Sequence, residues 1–351
     1  MTSLERISSI LSGGTPDRPP FAAWGHVMNF CDRNAEDFAR ATIEFQNANG
    51  FDFVKIMSNP YYMLEDMGID LRVPLRYDEC LRRTDRLLVP RPEDWGQIPF
   101  AKVGAGALAR EREAICRVVD YFQGSVPVIA TIFTPAMWVA YSVLQATDMA
   151  HEATGGGGYT GLLSRYLMDN ERQVRPALER FAGLNRSYME DLLSVGVSGF
   201  FYCTEHARDS WTRDAFESFE EQYDLQALEV VHGRGLFNIL HVCGEGKLRL
   251  DWVLHYPVEA LNWEDRSAMN PSLSEIRSLT DKILVGGMDR RRDLLGTSRQ
   301  EIKSRLVEKV RSAMEQAGSK LIVSGGCDWG IDTTYRFYIW REVMEELKHA
   351  E

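Results

Sequence analysis

The sequence predicts a single-domain α/β protein with the (β/α)8 architecture of a TIM barrel. Eight short apolar runs rich in β-forming residues alternate with helical patterns, which is the order that a closed parallel barrel requires. The 351 residues suit one barrel of this class, and neither a low-complexity tract nor an interdomain linker interrupts them. The prediction is therefore one barrel domain over residues 1–351.

The predicted strands are short apolar runs with β-branched and aromatic residues. They are Phe21–Gly25, Phe51–Ile56, Val126–Ile132, Gly199–Cys203, Leu236–Val242, Val258–Trp263, Ile283–Gly287 and Lys320–Ser324. The predicted helices repeat apolar residues every three or four positions. They are Glu36–Ala48, Pro135–His151, Asn170–Leu193, Arg213–His232, Lys247–His255, Leu273–Leu279 and Ser298–Ala317. The N-terminal run predicts one more helix, with Thr2 or Ser3 as its N-cap.

A long segment, Tyr61–Asp120, separates the second and third predicted strands and is predicted to be an insertion. Within it, the run LRYDECLRRTDRLLV is consistent with a small β-hairpin over the barrel mouth. Such a hairpin would act either as a structural cover or as a lid that shields the substrate. The glycine run Gly155–Gly158 is interpreted as a loop between two helices.

Composition and charge exclude several classes of partner. The formal net charge of −11 disfavours binding to nucleic acid and to anionic membrane surfaces. No run approaches the roughly 18 apolar residues of a membrane span, and the N-terminus lacks the pattern of a signal peptide. The six cysteines are too scattered for a disulfide framework, which favours a cytoplasmic protein. Four of them are interpreted as small buried hydrophobic residues, namely Cys31, Cys80, Cys116 and Cys203.

The most informative run is FNILHVCGEG, in which a predicted strand ends at His241 and Cys243. Residues two positions apart on a strand point to the same side, so the imidazole and the thiol should lie side by side. Cys327 follows the last predicted strand in LIVSGGCDWG. The C-terminal ends of all barrel strands meet at one mouth, where barrel enzymes carry their active sites. The three side chains are therefore expected at one site.

One imidazole and two thiolates are a donor set that suits Zn²⁺. Three protein ligands leave a fourth position for water or substrate, which is typical of a catalytic site. Taken alone, a histidine or cysteine at a strand end such as His241, Cys243 or Cys327 is more often a packed core residue than a metal ligand. Their joint position at one end of a barrel favours a zinc site.

The HVCG and GGCD segments resemble the His-x-Cys … Cys zinc pattern of the methylcobamide:coenzyme M methyltransferases, members of the uroporphyrinogen decarboxylase superfamily. The similarity covers nearly the whole chain. LERISSILSGGTPDRPPF resembles the start of the superfamily, TPAMWVAY its third-strand region and VGGMDR the turn after its seventh strand.

This resemblance implies a (β/α)8 barrel in which His241, Cys243 and Cys327 are both zinc ligands and catalytic residues. In the resembling enzymes, zinc lowers the pKa of the acceptor thiol and delivers a thiolate to a methyl group on a corrinoid cobalt. The chain has no Asp-x-His-x-x-Gly corrinoid motif. The implied co-substrate is therefore free methylcobalamin or a corrinoid protein, and the resemblance also suggests a homodimer.

Two departures qualify the resemblance. Uroporphyrinogen decarboxylases carry an arginine segment, RQAGR, that holds the carboxylates of the tetrapyrrole. This chain has FAAWGHVMNF there, with no arginine between Arg18 and Arg33, which argues against uroporphyrinogen as the substrate. Where the cobalamin-independent methionine synthases place a carboxylate ligand, this chain has Glu264 and Asp265. Either acid is a candidate fourth ligand or an orienting partner of His241, or else a capping or ion-paired acid after the sixth strand.

Polar residues near the C-terminal ends of other predicted strands are the candidate substrate-binding residues. They are His26, Asn59, Tyr202, Glu205, His206 and Asp289. His206 is a candidate general base and Asp289 a candidate for holding substrate or water. The alternatives are a surface loop histidine and a turn-forming aspartate. Five aromatic residues are interpreted as core residues that could also line a pocket: Trp24, Phe133, Trp138, Trp263 and Trp329.

Three functional hypotheses follow from the sequence. The first is a zinc-dependent methyltransferase that acts between a corrinoid and a thiol, or in the reverse direction from a methoxy or methylamine compound. The second is a decarboxylase or lyase, which would remain active without metal and would need cationic residues at the mouth. The third is a non-catalytic barrel with a closed, four-ligand zinc site.

Overall fold

The structure, a computed structural model, describes residues 1–26, 33–72, 82–145, 158–244 and 246–348. The strands of these residues are β1 (Val54–Lys55), β2 (Leu71–Arg72), β3 (Arg82–Arg83), β4 (Val128–Phe133), β5 (Gly199–Thr204), β6 (Ile239–Val242), β7 (Ala260–Trp263), β8 (Ile283–Met288) and β9 (Leu321–Gly325). Seven of them form a curled parallel sheet in the order β1-β4-β5-β6-β7-β8-β9. This sheet confirms an α/β fold of the barrel type.

The first predicted strand, Phe21–Gly25, is wrong in extent, because only Phe21 forms a bridge, with Val323 of β9. Phe21 also accepts a hydrogen bond from the Asp52 N–H at 2.9 Å, beside β1. The bonds to Val323 are confined to two residues of this segment: the Val323 N–H donates to the Pro20 carbonyl at 2.8 Å, and the Ala22 N–H donates to the Val323 carbonyl at 3.1 Å. The two edge strands of the sheet are nevertheless joined through residues 20–22.

A buried ionic cluster supports this junction. The carboxylate of Asp52 is fully buried and accepts hydrogen bonds from Arg18 Nη1 at 2.6 Å, Arg6 Nη1 at 3.1 Å and the Phe21 N–H at 2.8 Å. Arg6 lies on the first helix, Ser3–Leu11, whose N-cap is Thr2 as predicted. The cluster therefore ties the N-terminal helix to the point where the sheet edges meet.

Helices connect the strands. The longer ones are Ser3–Leu11, Ala35–Asn49, Gly106–Phe122, Pro135–Val143, Gly158–Asp169, Glu171–Ser194, Arg299–Ala317 and Phe337–Leu347. The short ones are Arg213–Phe216, Gln222–Leu228, Leu273–Arg277 and Ile331–Thr334. The periodicity of the sequence predicted the others, but four helices were not predicted: Gly106–Phe122, Gly158–Asp169, Ile331–Thr334 and Phe337–Leu347.

Three predicted helices are wrong in extent. Pro135–His151 is helical only to Val143 within the described residues. Arg213–His232 is interrupted by a π-helical turn at Glu217–Glu221, which carries the buried Glu220. Lys247–His255 contains only the 3-10 turn Leu250–Trp252, and Lys247 itself has a positive φ of 57°, so no right-handed helix begins there.

The segment between β1 and β4 contains regular structure rather than a single long loop. β2 and β3 form an antiparallel pair in which Leu71 faces Arg83. The predicted hairpin run LRYDECLRRTDRLLV, residues 75–89, contains β3, but its partner β2 lies before that run. Arg83 Nη1 donates to the carbonyl of Tyr141 at 2.9 Å, so β3 is held against the helix after β4. Residues 73–81, and residues 155–157 of the glycine run, lie outside the described residues.

One contiguous apolar core runs from Ile7 near the N-terminus to Met344 near the C-terminus. Strands β5 to β9 are buried along their whole length, and β4 is buried except at Phe133, as expected of a parallel sheet that is covered on both faces. Among the described residues, no helix has the length and apolarity that crossing a lipid bilayer requires.

Candidate metal centre

Three side chains from two distant parts of the chain converge at the C-terminal ends of β6 and β9. One ligand atom from each of His241, Cys243 and Cys327 lies within 4.8 Å of the other two. The two sulfur atoms are 3.7 Å apart. His241 lies on β6, Cys243 directly after it, and Cys327 two residues beyond the end of β9. The predicted grouping of these three residues is present.

The glycines before Cys327 explain how the thiol reaches this position. A Cβ atom at Gly326 would lie 2.2 Å from the Cα of Glu264, and one at Gly325 would lie 2.8 Å from the indole nitrogen of Trp329. Only glycine lets the turn after β9 pass this close to the end of β7. The Gly-Gly pair therefore determines the position of the Cys327 sulfur.

The orientation and tautomer of His241 are set by Asn262. The side-chain amide of Asn262 donates to the carbonyls of Val285 at 2.7 Å and Gly325 at 3.1 Å, which directs its oxygen towards His241. That oxygen lies 2.6 Å from His241 Nδ1. An oxygen can only accept, so Nδ1 carries the proton and Nε2 keeps its lone pair. The ring of Phe201 stacks on the imidazole at 4.9 Å. His241 is therefore prepared to ligate a metal through Nε2.

The two thiols form one acid–base pair. The contact with Cys243 lowers the pKa of Cys327, and the same contact raises the pKa of Cys243 well above its ordinary value. A proton held by one sulfur stabilises the thiolate on the other. The pair thus favours one thiolate at neutral pH, and a divalent cation would stabilise the second.

A cavity of about 150 Å³ opens onto these three residues. Its apolar walls include Trp24, Met57, Phe133 and Phe201. Its other polar lining residues are His26, Lys55, Thr131, Cys203, Glu205 and Asp328. The candidate ligands therefore face a small, mostly apolar space.

Sequence reasoning missed Lys55, the last residue of β1. The signal was present in FDFVKI, since Phe53 and Lys55 are two positions apart and face the same side of a strand. Phe53 packs in the barrel interior against Phe237, at 5.5 Å between ring centroids. Lys55 therefore also points inward. Burial lowers its pKa to about 8.

The structure brings some of the predicted polar residues to the cavity. His26 and Glu205 line it, and burial lowers the pKa of His26. The carboxylate of Glu205 also accepts a hydrogen bond from the Tyr159 hydroxyl. Cys203 was interpreted as a plain core residue, but it is a lining residue of this cavity. Cys116 is partly exposed on a helix rather than buried, and Cys31 and Cys80 lie outside the described residues.

Four other predicted substrate-binding residues do not line this cavity. The Tyr202 hydroxyl points away from it and donates to Asp224 at 3.0 Å. His206 is fully buried, with Nδ1 at 2.8 Å from Glu220. Asn59 and Asp289 accept hydrogen bonds from nearby backbone N–H groups, of Tyr61 and Arg291 respectively, which is a turn-forming role.

The acids after β7 are not part of the three-residue cluster. Glu264 Oε2 accepts from Arg290 Nε at 2.7 Å, and Arg290 Nη1 donates to the carbonyl of Asp328 at 3.1 Å. Asp265 accepts from the Gly287 N–H at 3.1 Å. The expectation that one of these acids orients His241 is corrected, because that partner is Asn262.

Comparison with known proteins gives a family match over nearly the whole length. The profile of the family described as Uroporphyrinogen decarboxylase (URO-D) matches residues 2–336. The search of curated protein sequences gives no significant match.

Solved structures with the same fold include two classes of methyl-transferring enzyme. A methyltransferase from Methanosarcina mazei has a TM-score of 0.76 at 16% identity, with 99% of each chain covered. A B12-independent methionine synthase from Shewanella sp. W3-18-1 has a TM-score of 0.59 at 14% identity, and a putative vitamin-B12 independent methionine synthase from Listeria monocytogenes has 0.56 at 12%. For both synthases the alignment covers 95% of this chain and 98% of theirs. The family profile and the barrel-type fold agree, and the chain belongs to the uroporphyrinogen decarboxylase family.

Proposed function

We propose that this protein is a zinc-dependent methyltransferase that moves a methyl group between a corrinoid and a small donor or acceptor, such as a thiol or a methoxy compound. The observation that carries the proposal is the convergence of one imidazole and two thiols, within 4.8 Å of one another, on a cavity. The Methanosarcina mazei methyltransferase, which shares the fold, supports the reaction class. A complete eight-stranded barrel is part of the same proposal, with residues 20–22 as its first strand, between β9 and β1, and residues 61–120 as an insertion.

The donor set fits zinc. Zn²⁺ is commonly held by nitrogen and sulfur ligands, and catalytic sites keep one position open. Nε2 of His241 is available because its Nδ1–H is bound to Asn262. Bound zinc would supply a Lewis acid that keeps a coordinated substrate thiol deprotonated at neutral pH.

The protein's own residues would position the substrate and keep water away. Asn262 and Phe201 hold the His241 ring from its edge and its face. The apolar walls formed by Trp24 and Phe133 suit a methyl group better than water. The corrinoid would reach the mouth either as free methylcobalamin or on a partner protein.

Metal analysis tests the centre directly. We expect about one zinc per chain, as the three-ligand cluster implies. Cys243→Ala should lose the metal, whereas Cys116→Ala, which removes a thiol on a distant helix, should retain it. With Co²⁺ in place of zinc, Cys116→Ala should show the thiolate-to-metal absorption band and Cys243→Ala should not. Equal metal content in both variants would contradict the proposed ligands.

A second assay tests the reaction class. Methylcobalamin is mixed with the zinc-loaded protein and a panel of thiols, and demethylation is followed in the corrinoid spectrum. The wild type should accelerate demethylation and Cys243→Ala should not. Zinc binding with no methyl transfer in either direction would favour a non-catalytic zinc barrel. Lyase or decarboxylase activity that survives metal removal would favour the second hypothesis.

A further inference from the structure

Lys55 occupies a specific place beside the candidate metal centre. It is the last residue of β1 and a lining residue of the cavity that contains His241, Cys243 and Cys327. Its ammonium group lies 4.4 Å from the centroid of the Phe201 ring and 5.5 Å from that of Trp24. The same Phe201 ring stacks on His241. One aromatic side chain thus separates a fixed positive charge from a candidate metal ligand.

This ammonium group has no carboxylate partner within the described part of the chain. Its described hydrogen-bond contact is with the sulfur of Met57 at 2.8 Å, which is a weak acceptor. Two other buried cations, Arg6 and Arg18, are by contrast paired with the carboxylate of Asp52. Removing an ammonium group from water without an anionic partner is costly. The pKa of Lys55 is lowered to about 8, first by this burial.

The acids of the cavity are engaged elsewhere. The Glu205 carboxylate accepts from Tyr159, and Asp328 Oδ1 lies 3.2 Å from the Cys327 sulfur. Among the described residues, neither acid forms an ion pair with the Lys55 ammonium group, whose hydrogen-bond contact is the Met57 sulfur. The thiolates of Cys243 and Cys327 would be neutralised by a divalent metal. Asp328 acts on Lys55 only through space, so the ammonium group has no bonded anion in the ranges that the structure describes and retains donors for an anionic ligand.

We propose that Lys55 is the anion-binding residue of this cavity, and that the methyl donor or acceptor is a small aliphatic molecule with a carboxylate or another anionic group. The proposal rests on the methyltransferase function for the identity of the reaction. At about 150 Å³ the cavity holds only a short molecule. Met57, Phe133 and Phe201 would contact its methylene groups, while its two ends would face the metal and Lys55.

Paired probes of nearly equal size test the charge requirement. Isothermal titration of the zinc-loaded protein compares 3-mercaptopropionate with the neutral 3-mercaptopropan-1-ol. A hydrogen-bonded charge pair in a partly buried site should favour the anion by roughly 10- to 100-fold. Lys55→Met should abolish this preference and Lys55→Arg should retain most of it. A second titration, with propionate against propionamide, uses no thiol and repeats the comparison on metal-free protein.

Lys282 provides a matched control. It precedes β8 at the opposite end of the sheet, and its ammonium group is half-buried and donates to the carbonyl of Tyr256 at 2.9 Å. Lys282→Met should therefore leave both preferences unchanged. Equal affinity of the wild type for charged and neutral probes, or a preference that survives in Lys55→Met, would overturn the proposal. A third result would also overturn it: Lys55→Met loses zinc and the wild type shows no preference between the probes. Lys55 would then only offset the negative charge of the thiolates.

These experiments distinguish failure of the proposed anion site from failure of the proposed methyltransferase function. If neither thiol binds the metal but propionate binds in a Lys55-dependent manner, the thiol-transfer function is rejected and the anion site stands. If both thiols bind with equal affinity whatever residue 55 is, metal-dependent thiol binding stands and the anion site is rejected.

Discussion

Replacing Asn262 with leucine should separate the role of this residue at the metal centre from its role in folding. Asn262 is fully buried and makes three side-chain hydrogen bonds, to His241, Val285 and Gly325. Its loss leaves buried polar groups unpaired, at about 1–3 kcal/mol for each. We expect the free energy of unfolding to fall by about 2–4 kcal/mol, because some of these groups will relax towards other partners. Without the Asn262 oxygen, His241 is free to rotate or to adopt the other tautomer. Zinc affinity should then fall about 10- to 100-fold, which corresponds to about 1.4–2.7 kcal/mol.

The assay measures the zinc dissociation constant by competition with a chromophoric chelator, and stability by urea unfolding of the metal-free protein. Asn238→Leu is the matched control. Asn238 is also buried, accepts from the Phe200 N–H at 3.1 Å and lies just before β6, at the end of the strand opposite His241. The control should lose stability but keep the wild-type zinc affinity. If Asn262→Leu binds zinc as tightly as the control does, the tautomer argument is refuted.

Three further outcomes follow from the same structure. Asp52→Ala leaves Arg6 and Arg18 buried without a counter-charge, so we expect a loss of about 3–5 kcal/mol in urea unfolding; a loss below about 1 kcal/mol would contradict the role of the cluster. Gly326→Ala places a methyl group 2.2 Å from the Cα of Glu264 and should weaken zinc binding at least about tenfold, whereas Gly161→Ala, at an open helical position, should not. Burial raises the pKa of Asp265 to about 7, above the unfolded value of about 3.9, so the folded state binds this proton more tightly. The free energy of unfolding should therefore decrease as pH rises from about 4 to about 7, and Asp265→Asn should flatten this part of the profile; an unchanged profile would contradict the shift.

Much of the fold and the three candidate ligands could be predicted from short-range patterns. The spacing of His241 and Cys243 on an apolar run fixes their common side, and the position of Cys327 after another such run places it at the same mouth. The segment at Phe21 was harder, because an apolar run does not show how many of its residues pair with a neighbouring strand, and here only residues 20–22 bond to Val323.

The residues that sequence reasoning missed reach the site because of the register between neighbouring strands. Cys203, His241 and Asn262 lie side by side on β5, β6 and β7, so Cys203 is a cavity residue and Asn262 contacts the histidine. Tyr202, one position earlier, necessarily points away. A single sequence shows which residues alternate along a strand, but not which residue of the next strand lies opposite. The acids Glu264 and Asp265 were therefore favoured on chemistry, whereas Asn262 holds the position that matters.

The bridge between Phe21 and Val323 joins residues that are roughly 300 positions apart in the sequence, and such distant contacts are slow to form. During synthesis, residues 20–22 leave the ribosome long before β9 exists. The side of this segment that pairs with β9 remains an exposed sheet edge until nearly the whole polypeptide has been translated. An incomplete chain would present that edge to other nascent chains, so premature termination before β9 should yield aggregates rather than a smaller folded protein.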